Sequence, residues 1–200
     1  MVRCPWPGTD PEYIRYHDEE WGVPVRDDGK LFELLMLEGI QAGLSWITVL
    51  KRRDAYRDAL DGFDPDRMSR LSTSDLDLLL GNPRLIRNRR KMEALVTNAR
   101  SYLKLREETG SFSDYIWGFT GGRIICRRAR TMEDIPAFTD ESAALSRDLK
   151  KRGFSFCGPT IVYALMQSAG LYNDHLTGCF RHRQILDAHG GNCVFPEDHL

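Results

Sequence analysis

Four residues of metal-ligating type fall in two distant pairs, Cys4 with His17 and His175 with Cys179. Thiolate sulfur and imidazole nitrogen are the donors of closed, tetrahedral structural zinc sites. The four-residue step from His175 to Cys179 predicts a helix that puts both on one face, and Cys4 and His17 would complete a Cys2His2 set. The compact finger spacing is absent, and His182, His189, Cys193 and His199 are rival donors, so spacing alone fits four unrelated residues equally well. Zinc held by the four would clasp the N-terminus to the C-terminal helix, with no position open for water and no hydrolytic role.

Aromatic residues crowd the N-terminal part at Trp6, Tyr13, Tyr16, Trp21 and Trp46, and a single carboxylate, Glu38, interrupts the apolar run Leu34 to Ile40. Rings around a carboxylate suit a flat, electron-poor or cationic heterocycle. Stacking is worth ~1–3 kcal/mol per base, and cation–π attraction adds to it when the ring is charged. Glu38 would accept a hydrogen bond from a ring N–H. The same pattern fits ordinary aromatic packing with Glu38 on an exposed helix face.

The segment 142–170 reads as helix, short hairpin, helix. Arg152 ends the first helix, Gly153 suits the left-handed stop, Gly158 precedes Pro159 in the first turn of the second, and Gly170 closes it. Free backbone N–H groups at that helix start, flanked by Lys150, Lys151 and Arg152, would form an anion site for a phosphodiester, holding DNA without reading sequence. A plain corner between two helices has the same signature.

The elements that must carry these residues are helical nearly throughout. Asp64-Pro65 starts one helix and Gly81 stops another; a longer helix is predicted over about Leu85 to Leu105, with Ile86, Met92, Leu95, Val96, Ala99, Tyr102 and Leu103 on its stripe. The best strand candidate is Arg123 to Cys126, entered through Gly121-Gly122. A mainly α protein forming a single domain over 1–200 is expected, with no internal repeat or linker and with the tail 180–200 the least defined part.

Composition bounds the function classes. With 200 residues, 42% hydrophobic and 28% charged, the chain is neither disordered, collagenous nor a coiled coil. A chain this long buries roughly 70% of its unfolded surface, so it needs no metal merely to own a core. The five scattered cysteines, without an apolar leader ahead of them, read as reduced thiols of a cytoplasmic protein, and no run is long enough to span a membrane. The net charge of −1 gives no global signal for nucleic acid. It hides an uneven distribution: nine acidic and three basic residues from Asp10 to Glu38, against eight basic and one acidic from Arg84 to Arg106.

HDEEWGVPVRDDGKLFELLMLEGIQAGLSWITVLKRR, KKRGFSFCG and YNDHLTGC resemble the type I 3-methyladenine DNA glycosylases, bacterial repair enzymes of the helix-hairpin-helix superfamily. The resemblance runs from Arg3 to about Cys179. It implies structural zinc on Cys4, His17, His175 and Cys179, joining 4–17 to 175–179, and a base pocket of Trp6, Tyr13, Tyr16, Trp21, Glu38 and Trp46. It further implies a monomer that excises 3-methyladenine from duplex DNA and releases the free base. The superfamily's catalytic aspartate is held to be absent from this family, so Asp174 takes a structural or metal-supporting role. Leu44 is the candidate for filling the gap left in the duplex, with Lys150, Lys151, Gly153 and Gly158 at the phosphates. The run Arg87 to Lys91 is basic enough to line DNA. Cys126, Cys157 and Cys193 are left without a task.

Two rival readings share these features. One is a non-enzymatic, zinc-stabilised DNA-binding module. The other is a zinc hydrolase acting on a small molecule, which needs an open coordination position.

Overall fold

The computed structural model describes residues 1–196, so His199 lies outside the described residues. Among the described residues eleven α-helices follow in order: α1 (Pro11–Glu19), α2 (Asp28–Gln41), α3 (Trp46–Leu50), α4 (Arg53–Ala59), α5 (Pro65–Met68), α6 (Thr73–Gly81), α7 (Arg89–Thr109), α8 (Phe112–Gly118), α9 (Asp140–Lys151), α10 (Pro159–Ser168) and α11 (Phe180–His189). The chain is mainly helical, as the apolar spacing implies.

Helix α2 is the central element. Asp27 caps it by accepting the Lys30 N–H, and eight of its residues from Leu31 to Ile40 are buried. Helices α3, α7, α8 and α10 pack around it. Leu31, Phe32, Leu35 and Met36 are at most 1% exposed, and a side chain buried that fully contributes roughly 1.5–3 kcal/mol. The polar exception on this helix, Glu38, therefore sits in the core of the element arrangement.

Local signals place most helix starts correctly. Asp64 accepts the Arg67 N–H with Pro65 in the first turn, and Pro159 opens α10 behind Gly158. The long helix begins at Arg89, four residues later than the apolar stripe suggests, because the Asn88 side chain caps it by accepting the Lys91 N–H. Leu85 is still buried, packing from the preceding turn. Gly81 is the last residue of α6 and Asn82 its cap, so the glycine does not itself terminate the helix.

The expected strand is present as β1 (Ile124–Cys126), flanked by two strands that carry no sequence signal, β2 (Tyr172–Asn173) and β3 (Cys193–Val194). Both pair with β1 in parallel, Ile125 opposite Tyr172 and Ile124 opposite Cys193. This small sheet ties the end of the chain to its middle.

Gly170 follows α10 at φ +72°, and a Cβ there would lie 2.4 Å from the backbone carbon of Val23 and 2.5 Å from the nitrogen of Pro24. Backbone cannot retreat as a side-chain tip can. Gly170→Ala is expected to cost about 3 kcal/mol or more, read as a lowered urea midpoint at unchanged m.

Candidate functional site: an aromatic pocket beside a Cys2His2 cluster

The ligating atoms of Cys4, His17, His175 and Cys179 lie within 4.8 Å of one another, and all four residues are buried. The Cys179 sulfur is 3.5 Å from Nε2 of His17 and 3.7 Å from Nδ1 of His175, which is also 3.7 Å from the Cys4 sulfur. The edge between sulfur and nitrogen in a tetrahedral zinc site is about 3.6 Å, from bonds of about 2.3 and 2.1 Å. These three edges and the chemistry of the donors fit such an ion.

The outer nitrogens of both rings are engaged. Nδ1–H of His17 donates to Asp18 at 2.8 Å, and Nε2–H of His175 donates to the Trp21 carbonyl at 3.0 Å. Each bond leaves the opposite nitrogen's lone pair facing the cluster. Asp18 is in turn gripped by Arg3 through contacts of 2.7–2.9 Å. Burial holds His175 below the usual imidazole range and so neutral. The hydrogen bond with Cys4 is the largest of the contacts that push the Cys179 thiol down towards thiolate.

One expectation is corrected. His175 and Cys179 are not on a helix: they belong to the irregular segment before α11, with Cys179 its N-cap. A turn closed by the Cys179 N–H donating to the Leu176 carbonyl at 2.7 Å brings them together instead. The rivals are elsewhere: His182 bonds the Arg127 carbonyl, and Cys193 lies on β3.

Trp6, Tyr13, Tyr16, Trp21 and Trp46 converge on one cavity of about 330 Å³ that also contains Glu38. Tyr13 and Tyr16 come from α1, Glu38 from α2, Trp46 from α3, and Trp6 and Trp21 from the segments flanking α1. Trp6 and Trp21 are 5.2 Å apart in a T-shaped contact, and each also touches the cluster, Trp6 with His17 at 5.1 Å and Trp21 with His175 at 4.6 Å. The cluster thus fixes two walls of the pocket.

Sequence reasoning missed the opposite wall. It is built by Met132, Ile135 and Pro136 before α9, and by Thr160, Tyr163 and Gln167 of α10. The helical spacing of the last three was the signal available. The 132–136 loop offered none.

Glu38 is 3% exposed, so the exposed-helix alternative fails. Burial pushes its carboxyl up to about 8, opposed in part by a hydrogen bond with Ser168. The Trp46 indole N–H is buried without an acceptor among the described residues. The pocket therefore sets a buried carboxyl group among aromatic faces. A larger cleft of about 580 Å³ shares Tyr16 and Ser168 with this region, and it holds the ion pairs of Arg53 with Glu20 and Arg57 with Glu33.

Asp174 does not touch the ligand cluster. It is fully buried and accepts from Tyr163 and Gln167, with Arg127 3.4 Å away. Its role in this structure is to support the α10 wall of the pocket, which corrects the metal-supporting alternative.

Helices α9 and α10 and the connection 152–158 form the expected corner. Gly153 has φ +91°, and its N–H donates to the Lys150 carbonyl. Gly158 has no side-chain cap to offer, so the first-turn N–H groups of Thr160 and Ile161 have no intrahelical acceptor. A Cβ on Gly158 would meet nothing within 4 Å, so the protein's own packing does not demand a glycine there. Lys150 and Lys151 are exposed, whereas Arg152 is paired with Asp148 at 2.6 Å and Glu108 at 2.7 Å, contacts with which a phosphate would have to compete.

The basic run is also sorted by the fold. Arg89 pairs with Asp77, Lys91 is buried, and only Arg87 and Arg90 remain exposed without an ion pair among the described residues. The acidic N-terminal excess is largely offset by Arg3, Lys51, Arg53 and Arg57. Leu44 is 37% exposed in the turn after α2. No described helix is long and apolar enough to cross a membrane.

Fold and site define a class: a mainly helical protein whose aromatic pocket, closed over one carboxyl group, is shaped for a flat heterocycle. The methyladenine glycosylase family model matches residues 6–182. The chain is 48% identical to DNA-3-methyladenine glycosylase 1 of Escherichia coli (strain K12) over 179 residues, 90% of this chain and 96% of that one. It is 50% identical to DNA-3-methyladenine glycosylase of Haemophilus influenzae over 178 residues, 89% and 96% of the two chains. A solved 3-methyladenine DNA glycosylase I superposes with a TM-score of 0.88 at 50% identity, covering 90% of this chain and 98% of that one. A Staphylococcus aureus structure concerned with 3-methyladenine recognition gives 0.87 at 39%, covering 90% and 96%. The chain belongs to the methyladenine glycosylase family.

Proposed function

We propose that this protein is a DNA repair glycosylase that flips 3-methyladenine out of alkylated duplex DNA and hydrolyses its N-glycosidic bond, leaving an abasic site. The observation that carries the reading is Glu38, a carboxyl group buried among five aromatic rings with no cation paired to it.

An adenine methylated at N3 and still attached to deoxyribose carries a positive charge. Entering the pocket, it stacks on the rings and gives the Glu38 carboxylate the partner that burial otherwise denies it. Unmodified adenine is neutral and leaves that buried charge uncompensated. Selection is thus a difference in binding, and weak pairing of the damaged base lowers the cost of extraction. As the bond between sugar and base breaks, its electron pair neutralises the base. Water then adds to the oxocarbenium-like sugar carbon and releases a proton. No nucleophilic side chain is needed with so good a leaving group.

Cys4, His17, His175 and Cys179 are the residues that would hold zinc. With four protein donors the ion supplies structural cross-linking and no open position, which favours this reading over a zinc hydrolase. Arg3 and Asp18 orient His17, and Trp6 and Trp21 transmit the clasp to the pocket. The helix-hairpin-helix segment would hold the DNA backbone through Lys150, Lys151 and the N–H groups beyond Gly153 and Gly158, with Leu44 in the vacated stack. The protein works as one domain and a monomer in the cytoplasm.

Incubation with alkylated duplex DNA and chromatography of the released bases tests the assignment. Free 3-methyladenine is expected; its absence at high enzyme concentration refutes catalysis and leaves a DNA-binding module. Reversing the charges of Lys150 and Lys151 to Glu is expected to weaken binding to all duplexes alike and flatten the slope of log affinity against log salt by roughly 2. An effect confined to one lesion contradicts a phosphate contact.

A further inference from the structure

We propose that Lys91 is a positioning residue that holds the turn bearing Leu44 in the shape that enters duplex DNA; the proposal rests on reading Leu44 as the wedge. Lys91 closes the basic run Arg87 to Lys91, yet it points inward and is 7% exposed. Its Nζ donates to the Ile40 carbonyl at 2.7 Å and to the Ala42 carbonyl at 2.6 Å. Those carbonyls lie at the end of α2, where intrahelical donors run out and a cation also meets the negative end of the helix dipole.

The turn beyond is a type II turn over Gln41 to Leu44. Ala42 sits at φ −43°, ψ 115°, Gly43 at φ +77°, and the Leu44 N–H donates to the Gln41 carbonyl at 2.6 Å. The Gln41 side chain closes it again by donating to the Leu44 carbonyl at 2.9 Å. Gln41 also lines the aromatic pocket. Leu44 is therefore presented on a frame gripped from both ends, next to the cavity that would receive the base.

Lys91 also links that frame to the hairpin. Two turns further along α7, Asn98 accepts the Ser155 N–H at 2.7 Å and donates to the Ser155 carbonyl at 3.1 Å. One rigid helix thus fixes the spacing between the segment that would grip the DNA backbone and the turn that would enter the stack. A buried ammonium is costly, and burial lowers its proton affinity. A methionine would fill the volume without that cost, so the two hydrogen bonds are what the lysine adds.

The experiment compares Lys91→Met, Leu44→Ala and the double variant, each checked by thermal melting, with Lys91→Gln as the second variant should Lys91→Met fail to fold. Single-turnover excision from duplex DNA and affinity for free 3-methyladenine are measured for each. Lys91→Met is expected to slow duplex excision at least tenfold, to leave free-base affinity within twofold, and to add nothing to Leu44→Ala in the double variant. Normal duplex excision by Lys91→Met, an equal loss of free-base affinity, or multiplying effects in the double variant would each overturn the proposal. Normal duplex excision by Leu44→Ala would instead overturn the wedge reading, and the proposal with it.

Discussion

Replacing Glu38 by glutamine is expected to lower kcat/KM for 3-methyladenine excision by roughly 10²–10³, with melting at neutral pH no lower than that of the natural protein. The magnitude is that of removing a buried, charge-assisted contact worth about 3–4 kcal/mol. The side chain keeps its shape, so the aromatic walls stay in place. Because burial raises the Glu38 carboxyl to about 8, kcat/KM of the natural protein should climb with pH as the group ionises, and this limb should vanish in the variant.

Stability should move in the opposite direction. A carboxyl whose folded value lies above its ordinary 4.5 stabilises the fold fully below pH 4.5, and the contribution is lost progressively as pH rises from there to about 8. Glutamine never ionises, so the variant should already be the more stable protein at neutral pH, with the difference levelling off above pH 8 at no more than roughly 5 kcal/mol. A residue of purely structural use would not lose activity while gaining alkaline stability. More than a tenth of natural activity with an unchanged pH profile would contradict the role given to Glu38.

Replacing Cys179 by serine should remove bound zinc and stability together. Cys179 lies within 3.7 Å of both histidine donors, and the segment it ends is otherwise irregular. Without the clasp, the buried His17 and His175 keep their outer hydrogen bonds but lose the partner that satisfies their inner nitrogens. The expected loss is on the order of 4 kcal/mol, or about 10 °C in melting temperature for a chain of this size. Metal content by atomic emission, measured with calorimetry, checks it; full zinc with unchanged melting refutes the ligand set. Since Trp6 and Trp21 pack on those histidines, affinity for free 3-methyladenine should fall as well.

These two expectations depend on different amounts of sequence information. The four ligands, the five pocket aromatics and Glu38 were legible as residue types, and the long motifs assigned them through a resemblance. Caps were legible too: Asp64-Pro65, Gly153 and Gly158-Pro159 act within a few residues, where local propensity and hydrogen bonding decide the conformation.

What the tertiary structure alone decided is which polar groups are already spent. Four neighbouring basic residues look alike in sequence, yet the fold turns Lys91 inward, gives Arg89 to Asp77 and leaves Arg87 and Arg90 exposed. Arg152 beside the hairpin is paired with Asp148 and Glu108. Asp174 adjoins a metal-ligating residue in sequence but serves the pocket wall in space. His175 and Cys179 share a centre through a turn, where spacing predicted a helix. The short parallel strands β2 and β3 could not be read, because two residues carry no alternation and their pairing lies wholly in β1, far along the chain. By itself, then, the sequence determined the helical class, the near-neutral composition and the inventory of chemistry-bearing groups. Burial and pairing are properties of long-range contacts, and they decided which member of that inventory would meet the base, which would meet the phosphate, and which holds the others in place.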